Sequence, residues 1–152
     1  MNRVIKFRAW HQGKMISAGS SQWFIEFDGD VWENVGSGYQ PDVLASQSSA
    51  IIMQYTGLTD PNGIDVYEGD IIRVCHLEAD DDEPDEYPAR YSIHEVRWMM
   101  DHNYPAFDLV PPYYEEFNNM QWLAESGFSP DDSFEWFRVI GNIYENPELL
   151  EK

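Results

Sequence analysis

Turn-forming residues cut this chain into apolar runs too short for helices. Asp28-Gly29-Asp30, Asp60-Pro61-Asn62-Gly63 and Glu68-Gly69-Asp70 each separate segments rich in Val, Ile, Phe, Tyr and Trp. Such segments read as β-strands, and the residues between them carry the turn chemistry. In the second break, Pro61 presets φ for a turn and Gly63 accepts the positive φ that lets the chain rejoin a strand.

The same reading extends along the chain. "RVIKFRAW" (3–10) predicts a short strand, a turn at Gly13 follows, and "MIS" is a possible return strand. "QWFIEFDGDVWENV" predicts two strands around Asp28–Asp30, "GSGYQPD" is loop, and "AIIMQYTG" is a strand. "IDVYEGDIIRVCH" holds a strand over Ile71–His76, and "YSIHEVRWMM" predicts another. "YPAFDLVPP" is short and bounded by prolines, and "FEWFRVIGNIYE" gives one or two closing strands. One helix is expected, near 112–126. Pro112 suits its first position, Glu115 and Glu116 suit the positive end of its dipole, and Gly127 is a stop. Tyr113, Phe117, Met120 and Ala124 would form its apolar face. About eight strands and one helix predict a mainly β (α+β) domain built on a small barrel or bent sheet.

Charge bounds the partners. Nine Lys and Arg face 28 Asp and Glu, a net charge of −19. Arg3, Lys6, Arg8 and Lys14 give the first 14 residues +4 with no acid among them, so the remainder carries −23. Such a field repels phosphate backbones, whose binding normally requires Lys and Arg to displace counterions. It favours a basic protein partner, or simply solubility. Direct nucleic-acid binding would need Arg3, Lys6, Arg8 and Lys14 to form one exposed patch. The six tryptophans, Trp10, Trp23, Trp32, Trp98, Trp122 and Trp136, fit core packing or an oligomer interface better than base stacking without a positive groove. A homo-oligomer is one consequence. No apolar run is long enough to span a membrane and no secretory signal opens the chain, so the expectation is a cytoplasmic protein.

Candidate chemistry is sparse. Counted from Asp60 as a calcium loop, Ile64 stands at the fifth position, Asp65 at the sixth and Ile71 at the twelfth, where an EF-hand needs an oxygen ligand, Gly and Glu. A phosphate loop fails because no Gly-rich run ends in Lys and Ser or Thr. The single Cys75 forms no internal disulfide, and its neighbour His76 would point to the opposite face of a strand. His11, His76, His94 and His102 lie at no ligand spacing, and only strand pairing would bring His76, His94 and the Asp101-His102 pair together. Residues 78–86, "EADDDEPDE", carry seven acids in nine positions and read as a solvated loop; its Asp80–Asp82 cluster would attract divalent cations weakly. No Gly-x-Ser-x-Gly elbow appears. No catalytic, cofactor-binding or metal-binding residue is therefore assigned, no cofactor is expected, and a non-enzymatic protein is the leading expectation. The rival is an enzyme whose site converges in three dimensions on His76, His94, Asp70 and Glu68.

Three blocks of sequence add a resemblance. "IKFRAWHQGKMI", "IMQYTGLTDPNGIDVYEGDII" and "FRVIGNIYENPELL" resemble the YopX family of phage and prophage proteins, in the family's order and near both termini. They cover a little under a third of the chain. The resemblance implies one YopX-like domain over 1–152, with an N-terminal β segment over 1–57. An SH3-like barrel part would fill 58–152, holding the acidic loop and the helix as insertions. It implies a phage or prophage accessory protein in the bacterial cytoplasm, and no activity or catalytic residue comes with it. Two functional expectations follow: binding to a host or phage protein, and, more sharply, an acidic mimic of nucleic acid that inhibits a basic host DNA-binding or defence protein.

Overall fold

The computed structural model describes residues 4–17, 23–25, 31–33, 42–45, 50–77, 89–100, 105–112, 118–125 and 136–151. The chain divides into two compact units, Met1–Gly57 and Leu58–Lys152.

In the first unit, β1 (Phe7–His11) and β2 (Lys14–Ser17) form an antiparallel hairpin with His11 opposite Lys14. Gln12 and Gly13 both take positive φ, 46° and 78°. That is the pattern of a two-residue turn whose twist matches the flanking strands. Strand β6 (Ile51–Thr59) pairs with the other edge of β1, Ala9 opposite Ile52. Ala9, Ile16 and Ala50 form a small core with Ile52 packed against it. A second antiparallel sheet runs β3 (Trp23–Ile25), β4 (Val31–Glu33), β5 (Asp42–Ala45). The β3–β4 pair lies where the Asp-Gly-Asp break predicts a hairpin. Strand β5 follows a stretch read as loop; "DVLA" has little strand signal of its own and acquires its conformation by pairing with β4.

In the second unit, Leu58 and Thr59 end β6, and β7 (Asp65–Tyr67) pairs with β6. Strands β8 (Asp70–Leu77), β9 (Ala89–Met99), β10 (Ala106–Val110) and β11 (Phe137–Asn142) make an antiparallel sheet in the order β10-β9-β8-β11. A short 3-10 turn, Pro147–Leu150, follows. Register explains the core. Phe137 stands opposite Val74, Val139 opposite Ile72, and Leu109 opposite Val96, so alternate residues of all four strands line one face. With Val66, Phe107, Met120 and Leu123 they form the main apolar cluster.

Helix α1 (Asn119–Glu125) is shorter than the predicted 112–126. Pro112 is exposed and outside the helix, and 113–117 lie outside the described residues. Two side chains fix the start. Asn118 Oδ1 accepts the Gln121 N–H at 2.7 Å, and Asp108 Oδ1 accepts the Asn119 N–H at 2.9 Å. Both satisfy N–H groups that a helix start leaves without an internal partner. Met120 and Leu123 are the buried residues of this helix, while Ala124, expected on the apolar face, is exposed.

The chain is thus mainly antiparallel β with one α-helix among the described residues. The four-stranded sheet of the second unit ends at β10 and β11. The SH3-like closure implied by the resemblance is a finer statement than this strand order carries.

Candidate functional site

The Asp60–Gly63 break is built around one carboxylate. Asp60 is buried, and its Oδ1 accepts the N–H groups of Asn62 and Ile64, each at 2.9 Å. Its Oδ2 accepts the Val139 N–H of β11 at 3.1 Å. Asp60 N–H donates to the Ile64 carbonyl at 2.8 Å, closing the corner, and Gly63 sits at φ 83°. Pro61, Asn62 and Gly63 face solvent. The loop therefore ties β6, β7 and β11 together and spends its acid on backbone donors. The next break behaves alike: Asp70 Oδ2 accepts the Tyr67 N–H at 2.8 Å, and Gly69 N–H donates to the Val96 carbonyl at 2.8 Å.

Of the enzyme candidates, His94 has the most informative surroundings. It is 3% exposed, on the core face of β9 opposite Ile72. Its Nδ1 lies 2.6 Å from the carbonyl oxygen of Pro111, and its Nε2 lies 2.5 Å from Ser92 Oγ. Asp70 Oδ2 is engaged by the Tyr67 N–H, and the Pro111 main-chain carbonyl orients the imidazole at Nδ1. Glu68 is half-buried in the turn before β8. The His76 backbone pairs with Arg90; its side chain, the Asp101-His102 pair and the acidic stretch 78–86 lie outside the described residues. His11 and Cys75 are buried. Among the described residues, no three His, Cys, Asp or Glu side chains come together as a metal site.

The N-terminal cations divide between two faces. Arg3 lies outside the described residues. Lys6 Nζ, just before β1, sits 4.7 Å from the centre of the Tyr55 ring, and half-buried Arg8, two residues on, lies on the side of β1 away from His11. Lys14, exposed, pairs with His11 and so belongs to the opposite face of that sheet.

The end of β9 carries exposed apolar side chains. Trp98 in the strand and Met100 just after it are 42% and 71% exposed. The Trp98 ring meets Phe107 edge-on, with centroids 4.9 Å apart. On the other face, Tyr91 is exposed beneath the Arg73 guanidinium at 4.4 Å. Arg97 there holds Glu95 with two nitrogens, at 2.5 and 3.1 Å. That hydrogen bond raises the Arg97 pKa above its ordinary value, and desolvation opposes it. Trp122 and Trp136 are half-buried, as is Trp10. The side chains of Trp23 and Trp32 are outside the described residues. No helix among the described residues is long and apolar enough to cross a membrane.

Sequence reasoning passed over Ser92, Asp108 and Asn118. The Ser-x-His spacing on a predicted strand was available as a signal for Ser92, since residues two apart share a face. Asn118 is a good capping residue immediately before an apolar-periodic stretch. Asp108 offered no local signal, because Asn119, the residue whose N–H it accepts, lies 11 positions further on.

Comparison with known proteins agrees with this architecture. The crystal structure of protein EF1440 from Enterococcus faecalis is similar at a TM-score of 0.53 and 26% identity, over 98% of this chain and 99% of that one. The crystal structure of yopX from Bacillus subtilis is similar at a TM-score of 0.53 and 18% identity, over 97% and 96%. No curated protein matches the chain. The family model of the YopX protein matches residues 6–151, which takes in all but the first residue of the three blocks and everything between them. The chain belongs to the YopX family.

Proposed function

We propose that this chain is a phage- or prophage-encoded accessory protein that works in the bacterial cytoplasm by binding a basic protein. The observation that carries the reading is the pair Trp98, near the end of β9, and Met100, just beyond it, both exposed in a chain of net charge −19. Large apolar side chains exposed side by side are what interfaces bury, and aromatic residues and Met are enriched there. The chain's net negative charge selects the partner: opposite charge accelerates encounter and like charge rejects wrong partners. Inhibition of a basic DNA-binding or defence protein by charge imitation is a special case of this binding.

The test is affinity capture from bacterial lysate, followed by rebinding of the recovered protein in purified form. A basic protein should be retained at low salt and released as salt rises. Its affinity should fall about tenfold or more when Trp98 and Met100 are both replaced by Ser, the loss of a modest interface hot spot. Retention of no basic protein, or retention that ignores the double substitution, would overturn the reading. A melting curve of the variant confirms that the fold is intact.

A further inference from the structure

Ser92, His94 and the Pro111 carbonyl form a hydrogen-bonded chain that core packing does not require. A carbonyl oxygen only accepts, so its 2.6 Å contact places the imidazole proton on Nδ1. In the neutral form of the ring, Nε2 offers its lone pair to the Ser92 hydroxyl at 2.5 Å. Nucleophile, base and a third group that fixes the base are the three parts of an activated serine. Their positions follow from the sheet. Residues 92 and 94 share a face of β9, and Pro111 follows β10, whose last residue, Val110, stands opposite Glu95. His94 is almost fully buried, whereas Ser92 is half-buried and Arg90, two residues nearer the start of β9, is exposed. Ser92 thus keeps part of its surface towards solvent while its base is shielded.

We propose that Ser92 is a catalytic nucleophile towards activated acyl esters or thioesters, with His94 as its general base and the Pro111 carbonyl as a positioning group. Ser92 Oγ attacks the acyl carbon as its proton passes to His94 Nε2. The tetrahedral adduct collapses, the bond to the alcohol or thiol breaks, and that leaving group takes the proton from Nε2. Water then gives a proton to His94 and attacks the acyl-serine, releasing the acid and restoring both side chains. No other reactant is consumed. The third group sets the substrate class. A neutral carbonyl holds the correct tautomer, yet stabilises the imidazolium less than a carboxylate does. The pair therefore suits substrates with good leaving groups. This proposal is independent of the binding surface at Trp98 and Met100.

The full chain is incubated with a fluorophosphonate probe and, separately, with p-nitrophenyl acetate. Intact mass and peptide mapping locate the adduct. One adduct on Ser92 is expected, absent from Ser92→Ala and formed about 100-fold more slowly in His94→Gln, the usual scale of general-base assistance. His11→Gln should label at the unaltered rate. Should His94→Gln lose its cooperative melt, Ser92→Cys keeps the test alive. Its new thiol, next to the intact His94, should be alkylated by iodoacetamide at least tenfold faster than free cysteine, because the imidazole favours the thiolate. No adduct in the unaltered chain, an adduct that survives Ser92→Ala, His94→Gln labelling at full rate, or an unreactive Cys at 92 would each overturn the assignment.

Discussion

The Asp60 carboxylate accepts the backbone N–H of Val139, 79 residues further along the chain, at 3.1 Å. The same side chain accepts two N–H groups of its own turn. One residue thus shapes a local corner and fastens the closing strand β11 to it.

Replacing Asp60 by Ala leaves three N–H groups without their acceptor at a part-buried corner. We expect a loss of about 2–3 kcal/mol in urea unfolding, because bonds to a charged acceptor contribute more than neutral ones, while the exposed Asn62 and Ile64 can turn to water. Asp60→Asn keeps the size and one acceptor oxygen, and should recover part of the loss. Amide exchange of Val139 should accelerate in both variants, more strongly in Asp60→Ala.

Asn118 serves the helix and the sheet together. Its Oδ1 caps the helix at Gln121, and its Nδ2 donates to the Phe107 carbonyl at 2.8 Å. Asn118→Ala should cost about 2 kcal/mol, a cap together with a buried bond. Asn118→Asp, an ordinary improvement at an exposed cap, should also destabilise here. It keeps the acceptor for Gln121 but removes the donor to Phe107 and brings a second carboxylate near Asp108. Chemical denaturation of the two variants separates the roles.

Gly141 is required by a neighbour. A Cβ there would stand 2.5 Å from Asn146 Oδ1 and 2.9 Å from its Cγ. Gly141→Ala should destabilise by about 1–3 kcal/mol, the scale of overpacking. In the background of Asn146→Gly the same substitution should cost much less. A double-mutant cycle measures the difference, and additive effects would refute the steric account.

The strand pattern of this chain was legible because it rests on short-range chemistry. The β3–β4 hairpin, the β6 strand and the long β8 and β9 strands follow from β-branched and aromatic residues between Gly, Asp and Pro breaks. The helix was legible in kind but not in its start. Pro112 is a good first helical residue by local preference, yet Asp108 and Asn118 supply acceptors that start the helix at Asn119. Strand β5 was missed for a related reason: Asp42–Ala45 is a strand by virtue of its partner β4.

Residues and spacing alone determined where this chain extends, where it turns, how its charge is distributed and which family it resembles. Those properties reside in each residue's own φ, ψ and charge, or in neighbours a few positions away. Tertiary structure decided what the side chains hold. Asp60, read as a turn residue, acquires its third partner only when β11 arrives, and His94, one of four scattered histidines, acquires its orientation from Pro111, 17 residues away. Hydrogen-bond geometry is short-ranged in space, and sheet register, not sequence distance, brings such groups within reach.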